Sequence, residues 1–472
     1  MQDKKMMEDT ISAIATAPGE GGIGIIRLSG EKAVSIAYKI FRPHSAKSLQ
    51  EYGNRVAVYG KVHDEHGHII DEAICIVMNA PNSYTCEDVV EIQCHGGSVV
   101  MREILSLTYR MGARPAEPGE FTKRAFLNGR LDLSQAQAVM DIINAKTKAS
   151  LDMAINHLSG DFSNKIREFR HDILAIIAHL EASIDFPEDD IEDLDFEDTR
   201  EKVKLLQDKI QKMLASAQMG IILRDGLKTA IIGRPNAGKS SIMNLLLGQE
   251  RAIVTDVPGT TRDSIEEYVN IGGIPLRLID TAGIRATDDI VEKIGVDKAY
   301  SYAGEAELVL AVFDTNEELS AEDEEIIRLM DKCPGNIIVI LNKIDLSGDK
   351  NTDLLKERLK SCTAAKIRGI VPMSAKNGEG QEGLEELLKE IVYNGRTNIG
   401  ESQAVCDARH EEILRRTVNL LEEALNTIDM GMSEDFIVID LRSAWEKLGE
   451  ITGETFDDDI VNQIFSNFCI GK

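Results

Sequence analysis

Short apolar runs alternate with amphipathic stretches through the first quarter of the chain. Five runs rich in β-branched residues predict strands, at residues 11–15, 22–28, 55–60, 73–78 and 89–94. Residues 31–41 and 97–111 predict two helices. Strands and helices mixed in this way predict a small α+β domain over residues 1–126.

Beyond residue 126 the apolar positions recur at helical spacing, which predicts core-facing helix stripes. Three such stripes are Val139, Ile142, Ile143 and Ala145; Val203, Leu206, Ile210 and Leu214; and Leu414, Val418, Leu421 and Leu425. Residues 172–184, 435–448 and 457–468 predict further helices, and the acidic run at 185–193 predicts a solvated connection. We expect one discontinuous helical bundle domain, residues 127–222 and 395–472, with a second domain, residues 226–394, inserted into it.

A strand, a glycine-rich loop and a helix open the inserted segment. The apolar run at 228–232 leads into Gly-Arg-Pro-Asn-Ala-Gly-Lys-Ser at 233–240, and residues 242–247 continue as a helix. This is the P-loop pattern, in which backbone N–H groups and a helix N-terminus face a phosphate. Lys239 can reach the β- and γ-phosphates, and the Ser240 hydroxyl can ligate Mg²⁺. The predicted nucleotide contacts in this loop are Asn236, Ala237, Gly238, Lys239, Ser240 and Ser241.

Four further elements follow in order, which makes a chance glycine-rich turn the weaker interpretation. A switch-like loop carries Thr255, Asp256, Val257, Pro258, Gly259, Thr260 and Thr261, and its Thr261 can complete the Mg²⁺ shell. Next, an apolar run ends in Asp280, Thr281, Ala282 and Gly283. The carboxylate of Asp280 can hold Mg²⁺ through water, and the N–H of Gly283 can reach the γ-phosphate.

The last two elements indicate the base. One is Asn342, Lys343, Ile344 and Asp345, which follows a buried apolar run, and the other is Ser374, Ala375 and Lys376. The Asp345 carboxylate can accept hydrogen bonds from guanine N1–H and the 2-amino group, a donor pair that adenine lacks. We therefore predict a GTP-binding, Ras-like P-loop domain of α/β class with a mostly parallel sheet, within a multidomain α/β and α protein.

Composition narrows the class of protein further. A net charge of −27 argues against a protein that coats nucleic acid generally. Seven cysteines without paired spacing favour a reducing compartment. No apolar run approaches the ~20 residues that span a bilayer, and the first residues lack the features of a targeting signal. We expect a cytoplasmic protein that does not enter a membrane.

Two clusters of metal-ligating residue types raise a metal hypothesis. They are His63, His66 and His68, and Cys86, Cys94 and His95. The first lies in a polar stretch that favours a solvated hairpin turn. The second lacks the cysteine spacing of a structural zinc site, which favours packing at a strand end.

Three separate stretches now resemble one family. They are Gly-Glu-Phe-Thr-Lys-Arg-Ala-Phe-Leu-Asn-Gly-Arg at 119–130, the P-loop with Gly-Thr-Thr-Arg-Asp at 259–263, and Cys-Ile-Gly-Lys at 469–472. Nearly end to end, the chain resembles the MnmE/TrmE tRNA-modification GTPases; the P-loop alone would indicate only an Era-like GTPase. The resemblance implies a heterotetramer with the FAD-dependent partner MnmG/GidA. The pair would add an aminomethyl or carboxymethylaminomethyl group to C5 of the wobble uridine of certain tRNAs.

The resemblance also implies a folate site and a homodimer in the N-terminal domain. The folate, 5-formyltetrahydrofolate or methylenetetrahydrofolate, would supply one carbon. The family's folate contacts correspond to Arg27, Glu91 and Arg130, with Lys472 approaching from the C-terminal end. Charges on a strand face are the alternative for Arg27 and Glu91. Cys469 is expected to act in tRNA modification, with a tolerated thiol on a frayed end as the alternative.

Hydrolysis must differ from that of Ras, because Ile284 stands where Ras-like enzymes place the water-orienting Gln. No arginine finger is marked either. The side-chain oxygen of Asn236 and carbonyls of the 255–260 loop can hold a monovalent cation of K⁺ size, which would supply the missing charge. The resemblance implies this K⁺-stimulated mechanism too, with two G domains meeting across their switch loops. It places the K⁺ ligands at Asn236, Thr255, Val257 and Thr260, and the water-orienting acid at Glu292. An exposed charge on the helix that starts near there is the alternative for Glu292.

A second hypothesis comes from a different class. A regulatory Era-like GTPase in ribosome assembly or RNA binding would use the N-terminal domain only for dimerisation. The lack of a KH-like or basic RNA-binding tail counts against it.

Overall fold

The computed structural model of the protein describes residues 9–17, 19–185, 196–249, 267–279, 303–346, 358–359, 366–393, 405, 407–455 and 458–472. The chain divides into two compact units. Unit 1 is built from Met1–Met140, Leu158–Arg170 and Glu446–Lys472, and unit 2 from Asp141–His157 and His171–Trp445. Each unit therefore combines segments that are far apart in the sequence.

Unit 1 contains a seven-stranded sheet in the order β3-β4-β5-β6-β2-β1-β7. Its strands are β1 (Ile11–Ile14), β2 (Gly21–Ser29), β3 (Phe41–Pro43), β4 (Ala57–His63), β5 (Ile69–Met78), β6 (Val89–Gly96) and β7 (Arg114–Pro115). Neighbouring strands are antiparallel except β1 and β7. All five predicted strands form. On β2 and β6, Arg27 lies directly opposite Glu91, which places the two side chains on one face.

Helices α1 (Ala33–Ile40), α2 (Ser98–Arg110) and α3 (Glu120–Leu127) accompany this sheet, with a 3₁₀ turn at Leu49–Glu51. Ile36, Ile40, Ile104 and Leu107 belong to its buried apolar core. A smaller cluster joins Phe126 and Leu133 to Phe465 and Phe468, so residues from the last stretch of the chain complete unit 1. The predicted α+β class of this region is confirmed.

The middle of the chain is helical. It contains α4 (Leu133–Asn144), α5 (Lys148–Ser159), α6 (Asp161–Asp185), α7 (Phe196–Leu214) and α8 (Ala217–Asp225). The predicted stripe around residue 142 is wrong, since Ile143 is 44 % exposed and α4 buries Leu133, Ala136 and Ala138 instead. Of these, Leu133 and Ala136 lie earlier on the helix, in the apolar cluster of unit 1 that includes Phe465.

A six-stranded sheet follows in the order β13-β12-β11-β8-β10-β9. Its strands are β8 (Leu227–Ile232), β9 (Glu267–Ile271), β10 (Ile274–Leu278), β11 (Leu308–Asp314), β12 (Asn336–Asn342) and β13 (Ile367–Pro372), with helices α9 (Lys239–Gln249), α10 (Ala321–Lys332) and α11 (Gln381–Tyr393). Only β9 and β10 pair antiparallel. The central β11 is buried along its whole length, as parallel strands between two layers require. The predicted mostly parallel α/β sheet is confirmed.

Three more helices, α12 (Ala408–Asp429), α13 (Glu434–Thr452) and α14 (Asp458–Ser466), end the chain. The predicted stripe on α12 is buried throughout, and on α7 Val203, Leu206 and Ile210 are buried. The two helices pack together, and the buried Gln207 side chain donates to the carbonyl of Val418 at 3.3 Å. Helices that precede and follow the sheet thus share one bundle. No helix among the described residues has the length and apolar content that a membrane crossing requires.

Candidate functional site

The P-loop connects β8 to α9 at the carboxyl edge of the parallel sheet. Asn236 has a left-handed backbone with φ of 62°, a region that Asn tolerates better than most residues. Gly238 has φ of 98°, and a Cβ there would collide with the amide nitrogen of Asn342. Glycine is therefore required at 238 by both conformation and space. Ser240 and Ser241 lie exposed in the first turn of α9.

Lys239 is directed back over the loop. Its Nζ donates to the carbonyl oxygens of Gly233 and Arg234, both at 2.8 Å. The ammonium group thus lies within the curve of the P-loop, beside the N-terminus of α9. A cation and a helix N-terminus converge there, which is the arrangement that binds phosphate.

The side chain of Asn342 ties the predicted base loops to the P-loop. Its Nδ2 donates to the carbonyl of Ala237 at 2.9 Å, and its Oδ1 accepts from the backbone N–H of Ala375 at 3.1 Å. Asn342 is buried. A single amide therefore holds three loops from different parts of the chain at one edge of the sheet.

Asp345 and Ser374, predicted to meet the base from two sides, lie in contact. The Ser374 hydroxyl donates to Oδ1 of Asp345 at 2.8 Å, and the N–H of Ile344 donates to the carbonyl of Met373 at 3.3 Å. Asp345 and Lys376 are exposed at the rim. The carboxylate is thus oriented by a buried hydroxyl while it faces solvent, where a ligand can reach it.

Asp314, the last residue of β11, is a buried charge at this edge of the sheet that was not predicted from the sequence. Its side chain is 1 % exposed, and Oδ2 accepts from Lys343 Nζ at 2.6 Å and lies 3.9 Å from a guanidinium nitrogen of Arg234. The sequence contained a pattern that could have identified it, because Asp314 follows an apolar run, as Asp280 does.

Several predicted residues lie outside the described part of the chain. They are Thr255, Asp256, Val257, Pro258, Gly259, Thr260, Thr261, Asp280, Thr281, Ala282, Gly283 and Glu292. The acidic run at 185–193 also falls there, apart from its first residue. The roles expected for these residues stay predictions.

The residues assigned to folate by resemblance lie in unit 1. Arg27 donates from Nε to Glu91 Oε1 at 2.9 Å and from a terminal nitrogen to the carbonyl of Gly471 at 3.3 Å. Both charged side chains are less than a fifth exposed. The pair across two strands is what the strand-face alternative expects, while the contact to Gly471 brings the C-terminal segment to the same place.

Tyr84 lies beside both arginines of this group. Its ring centroid is 4.8 Å from the guanidinium carbon of Arg130 and 5.7 Å from that of Arg27, and Arg130 donates to the Tyr84 carbonyl at 2.6 Å. Burial and the positive charge of Arg27 lower the pKa of Lys472. Cys469 is exposed, and its carbonyl accepts from the N–H of Gly119 at 3.4 Å. Two arginines therefore lie beside one aromatic ring, and Lys472 is close enough to Arg27 and Cys469 for their charges to act on it.

The two proposed metal clusters have other partners. His66 and His68 lie in a turn where their backbone N–H groups donate to Asp64, and His95 Nδ1 lies 2.7 Å from Asp71. Burial raises the pKa of the Cys94 thiol to about 11, so it stays protonated and is a poor metal ligand. Among the described residues, no group of three or more His, Cys, Asp or Glu side chains is placed to hold a metal.

Comparison with known proteins covers the whole chain. The family model of the MnmE helical domain matches residues 133–469, and that of the GTP-binding protein TrmE N-terminus matches residues 10–130. A tRNA modification GTPase MnmE of Clostridioides difficile is 48% identical over 99% of this chain and 100% of its own length. One from Thermoanaerobacter sp. is 49% identical over the same shares. Both relatives therefore align with the whole of this chain.

Among solved structures, Era in complex with MgGDPNP and 16S ribosomal RNA is 33% identical over 35% of this chain and 55% of its own, with a TM-score of 0.27. The helical-domain model covers more than half of this chain, and near-half identity extends over full-length relatives. The chain belongs to the MnmE family of tRNA modification GTPases.

Proposed function

We propose that this protein hydrolyses GTP and that, with a flavin-dependent MnmG/GidA partner, it modifies C5 of the wobble uridine in certain tRNAs. GTP hydrolysis is supported chiefly by one observation. The buried amide of Asn342 is hydrogen-bonded to both Ala237 and Ala375. These hydrogen bonds bring the loops at 237, 342 and 375 to one edge of the sheet, which supports a single site for the phosphates and the base. The full-length relatives, which are named tRNA modification GTPases, support the part of the proposal that concerns tRNA.

The nucleotide fits these residues chemically. Lys239 already donates to loop carbonyls, so its ammonium group can transfer those hydrogen bonds to phosphate oxygens without moving far. The exposed Ser240 hydroxyl would be a ligand of Mg²⁺, which neutralises phosphate charge when bound. Asp345 would accept the two donors of guanine, and Ser374 holds it in position for them.

Hydrolysis would need K⁺, held in part by the Asn236 side chain, because the chain has Ile284 in place of a water-orienting Gln. The left-handed backbone at Asn236 supports this role, since a non-glycine residue in that region is often retained for function. Thr255, Val257 and Thr260 would complete the shell, and Glu292 would orient water, both as the family resemblance implies.

The K⁺ requirement is tested by steady-state GTP turnover in matched KCl and NaCl. The wild type should turn over faster in KCl, by a factor approaching the ~10³–10⁵ that an arginine finger is worth. Asn236→Ala should lose the difference between the salts and keep nucleotide binding. Equal wild-type rates in the two salts would contradict the cation mechanism and leave GTP binding untouched.

A folate would bind in unit 1, where Arg27, Arg130 and Lys472 offer cations for its glutamate carboxylates. The closeness of these three residues, which come from opposite ends of the chain, supports the site. Glu91 would orient Arg27. The folate would supply the carbon of the aminomethyl group, and Cys469 lies at the same place for a part in that chemistry.

The protein would form a homodimer through residues 1–126 and a heterotetramer with MnmG/GidA.

The function as a whole is tested by nucleoside analysis of tRNA from cells that lack this protein. Loss of the modified wobble uridine, restored by the wild-type gene, is expected. Normal tRNA together with immature ribosomal subunits would instead favour a regulatory GTPase of ribosome assembly.

A further inference from the structure

The geometry points to Asp314 as a positioning residue of the guanine site, which acts through Lys343. Asp314 ends β11 and lies level with Asn342 in the neighbouring parallel strand β12. Its Oδ2 accepts from Lys343 Nζ at 2.6 Å, and its Oδ1 accepts from the N–H of Asn316 at 2.9 Å. The inference rests on the proposed GTP site and adds to it a residue that need not touch the nucleotide.

The backbone of Lys343 explains why such a contact is needed. Lys343 has φ of 66°, in the left-handed region that side chains other than Gly, Asn and Asp seldom adopt. A residue persists there only when its surroundings hold it. The ion pair to a buried carboxylate holds the side chain, and the N–H of Leu346, which donates to the Lys343 carbonyl at 2.9 Å, closes the turn.

This turn orients the residues on either side of it. Asn342, just before Lys343, reaches the P-loop carbonyl of Ala237, and Asp345, two residues after Lys343, meets Ser374. If Lys343 relaxed to an ordinary negative φ, both neighbours would be displaced. The base loop would then have to be reordered when the nucleotide binds, and the apparent affinity would fall by the fraction of chains in the competent conformation.

Asp314 is also close to Arg234 of the P-loop, and this second contact allows a control experiment. Arg234 lies 3.9 Å from Asp314 Oδ2 but makes its shorter contact to Glu317, at 2.6 Å. Asp323 lies 3.4 Å from Arg234 as well. Glu317 is more than half exposed and contacts Arg234, not the base loop. If Asp314 acted through Arg234, removing the charge of Glu317 would also weaken nucleotide binding.

The test is a double-mutant cycle on GDP affinity, measured by calorimetry on the full chain. Asp314→Asn should weaken GDP binding about tenfold, the order expected for loss of a charged hydrogen bond, and should raise KM for GTP while kcat changes little. Lys343→Met should also weaken binding. Because Asp314 is proposed to act through Lys343, adding Asp314→Asn to Lys343→Met should change GDP affinity no further. Glu317→Gln should bind GDP as the wild type does.

Additive losses in the cycle, or a loss in Glu317→Gln equal to that in Asp314→Asn, would overturn the inference. If Asp314→Asn alone fails to fold, comparing Lys343→Met with the double variant remains decisive, because the double variant contains neither charge of the ion pair. A separate experiment tests the proposed GTP site itself. If Asp345→Asn leaves the preference for guanine unchanged, the GTP site is wrong, and no result of the double-mutant cycle would give that outcome.

Discussion

Asp141 should make the stability of unit 2 depend on pH. It lies on α4 with its side chain 11 % exposed, and Arg224 donates to its Oδ1 at 2.7 Å. Burial raises the pKa of Asp141 to about 6, against the lowering effect of Arg224 and with a further rise from the nearby Asp407 carboxylate. Asp141 and Arg224 also line a small cavity, together with Ser150, Met153 and Ala154 of α5. The folded chain therefore favours the neutral form of a carboxyl that an unfolded chain would ionise.

The size of the effect follows from the two pKa values. The folded value of about 6 compares with an ordinary 3.8, and one pKa unit is worth about 1.4 kcal/mol. Between these values the folded chain keeps a proton that the unfolded chain releases, so stability falls as pH rises. The contribution is complete below pH ~4 and lost through pH ~6, about 3 kcal/mol in all, with about half of it falling between pH 5 and 8.

The assay is urea unfolding of wild type and Asp141→Asn at pH 5 to 8, followed by the fluorescence of Trp445. This is the single Trp of the chain, and it lies in unit 2 with Asp141. The Asn side chain is neutral at every pH, so the variant lacks this loss. Between pH 5 and pH 8 the free energy of unfolding of the wild type should fall by about 1.5 kcal/mol relative to that of the variant. Asp172→Asn, which removes a more exposed ion pair to Lys209, is the control and should follow the wild type. Parallel pH profiles for Asp141→Asn and wild type would refute the reasoning.

Three further predictions concern the separate sites. Asp345→Asn should weaken GTP binding and strengthen the binding of xanthosine triphosphate, which presents a carbonyl where guanine has its amino group. Unchanged GTP affinity in a nucleotide titration would show that Asp345 does not recognise the base. Cys469→Ser should keep GTP turnover while tRNA modification falls, because Cys469 lies in unit 1 and the P-loop in unit 2; collapse of turnover would show that the roles are not separate. The full chain should sediment as a dimer at micromolar concentration without nucleotide, and a monomer would count against dimerisation through residues 1–126. The full chain is needed there because Phe465 and Phe468 complete the core of unit 1.

Local patterns predicted the strands whose apolar residues form long runs, such as β8 and β12, because such runs bury both faces. They did not identify β3 and β7, which are three and two residues long and exist only because a neighbouring strand pairs with them. Nor was β11 identified, although its seven buried residues carry the same signal as β12. The stripe around Ile143 failed since spacing alone does not say which side of a helix meets a core.

Motif order predicted that the loops at 233–240, 342–345 and 374–376 belong to one GTP site, and the structure brings these three loops together. What joins the motifs was not predictable. The bond from Asn342 to Ala237 spans 105 residues of sequence, and it depends on β12 lying close to the P-loop in the sheet. The ion pair of Asp314 with Lys343 depends in the same way on the register between β11 and β12. Contacts of this kind follow from the topology, which no single motif encodes.

The construction of unit 1 has a consequence for synthesis of the protein. Phe126 and Leu133 are buried against Phe465 and Phe468, and the carbonyl of Gly471 accepts from Arg27. Residues 171–445, which belong to unit 2, are translated between these partners. At ordinary translation rates the delay is on the order of tens of seconds. On the ribosome, the first-made part of unit 1 must therefore wait with an incomplete core, so the part translated first is among the last to finish folding.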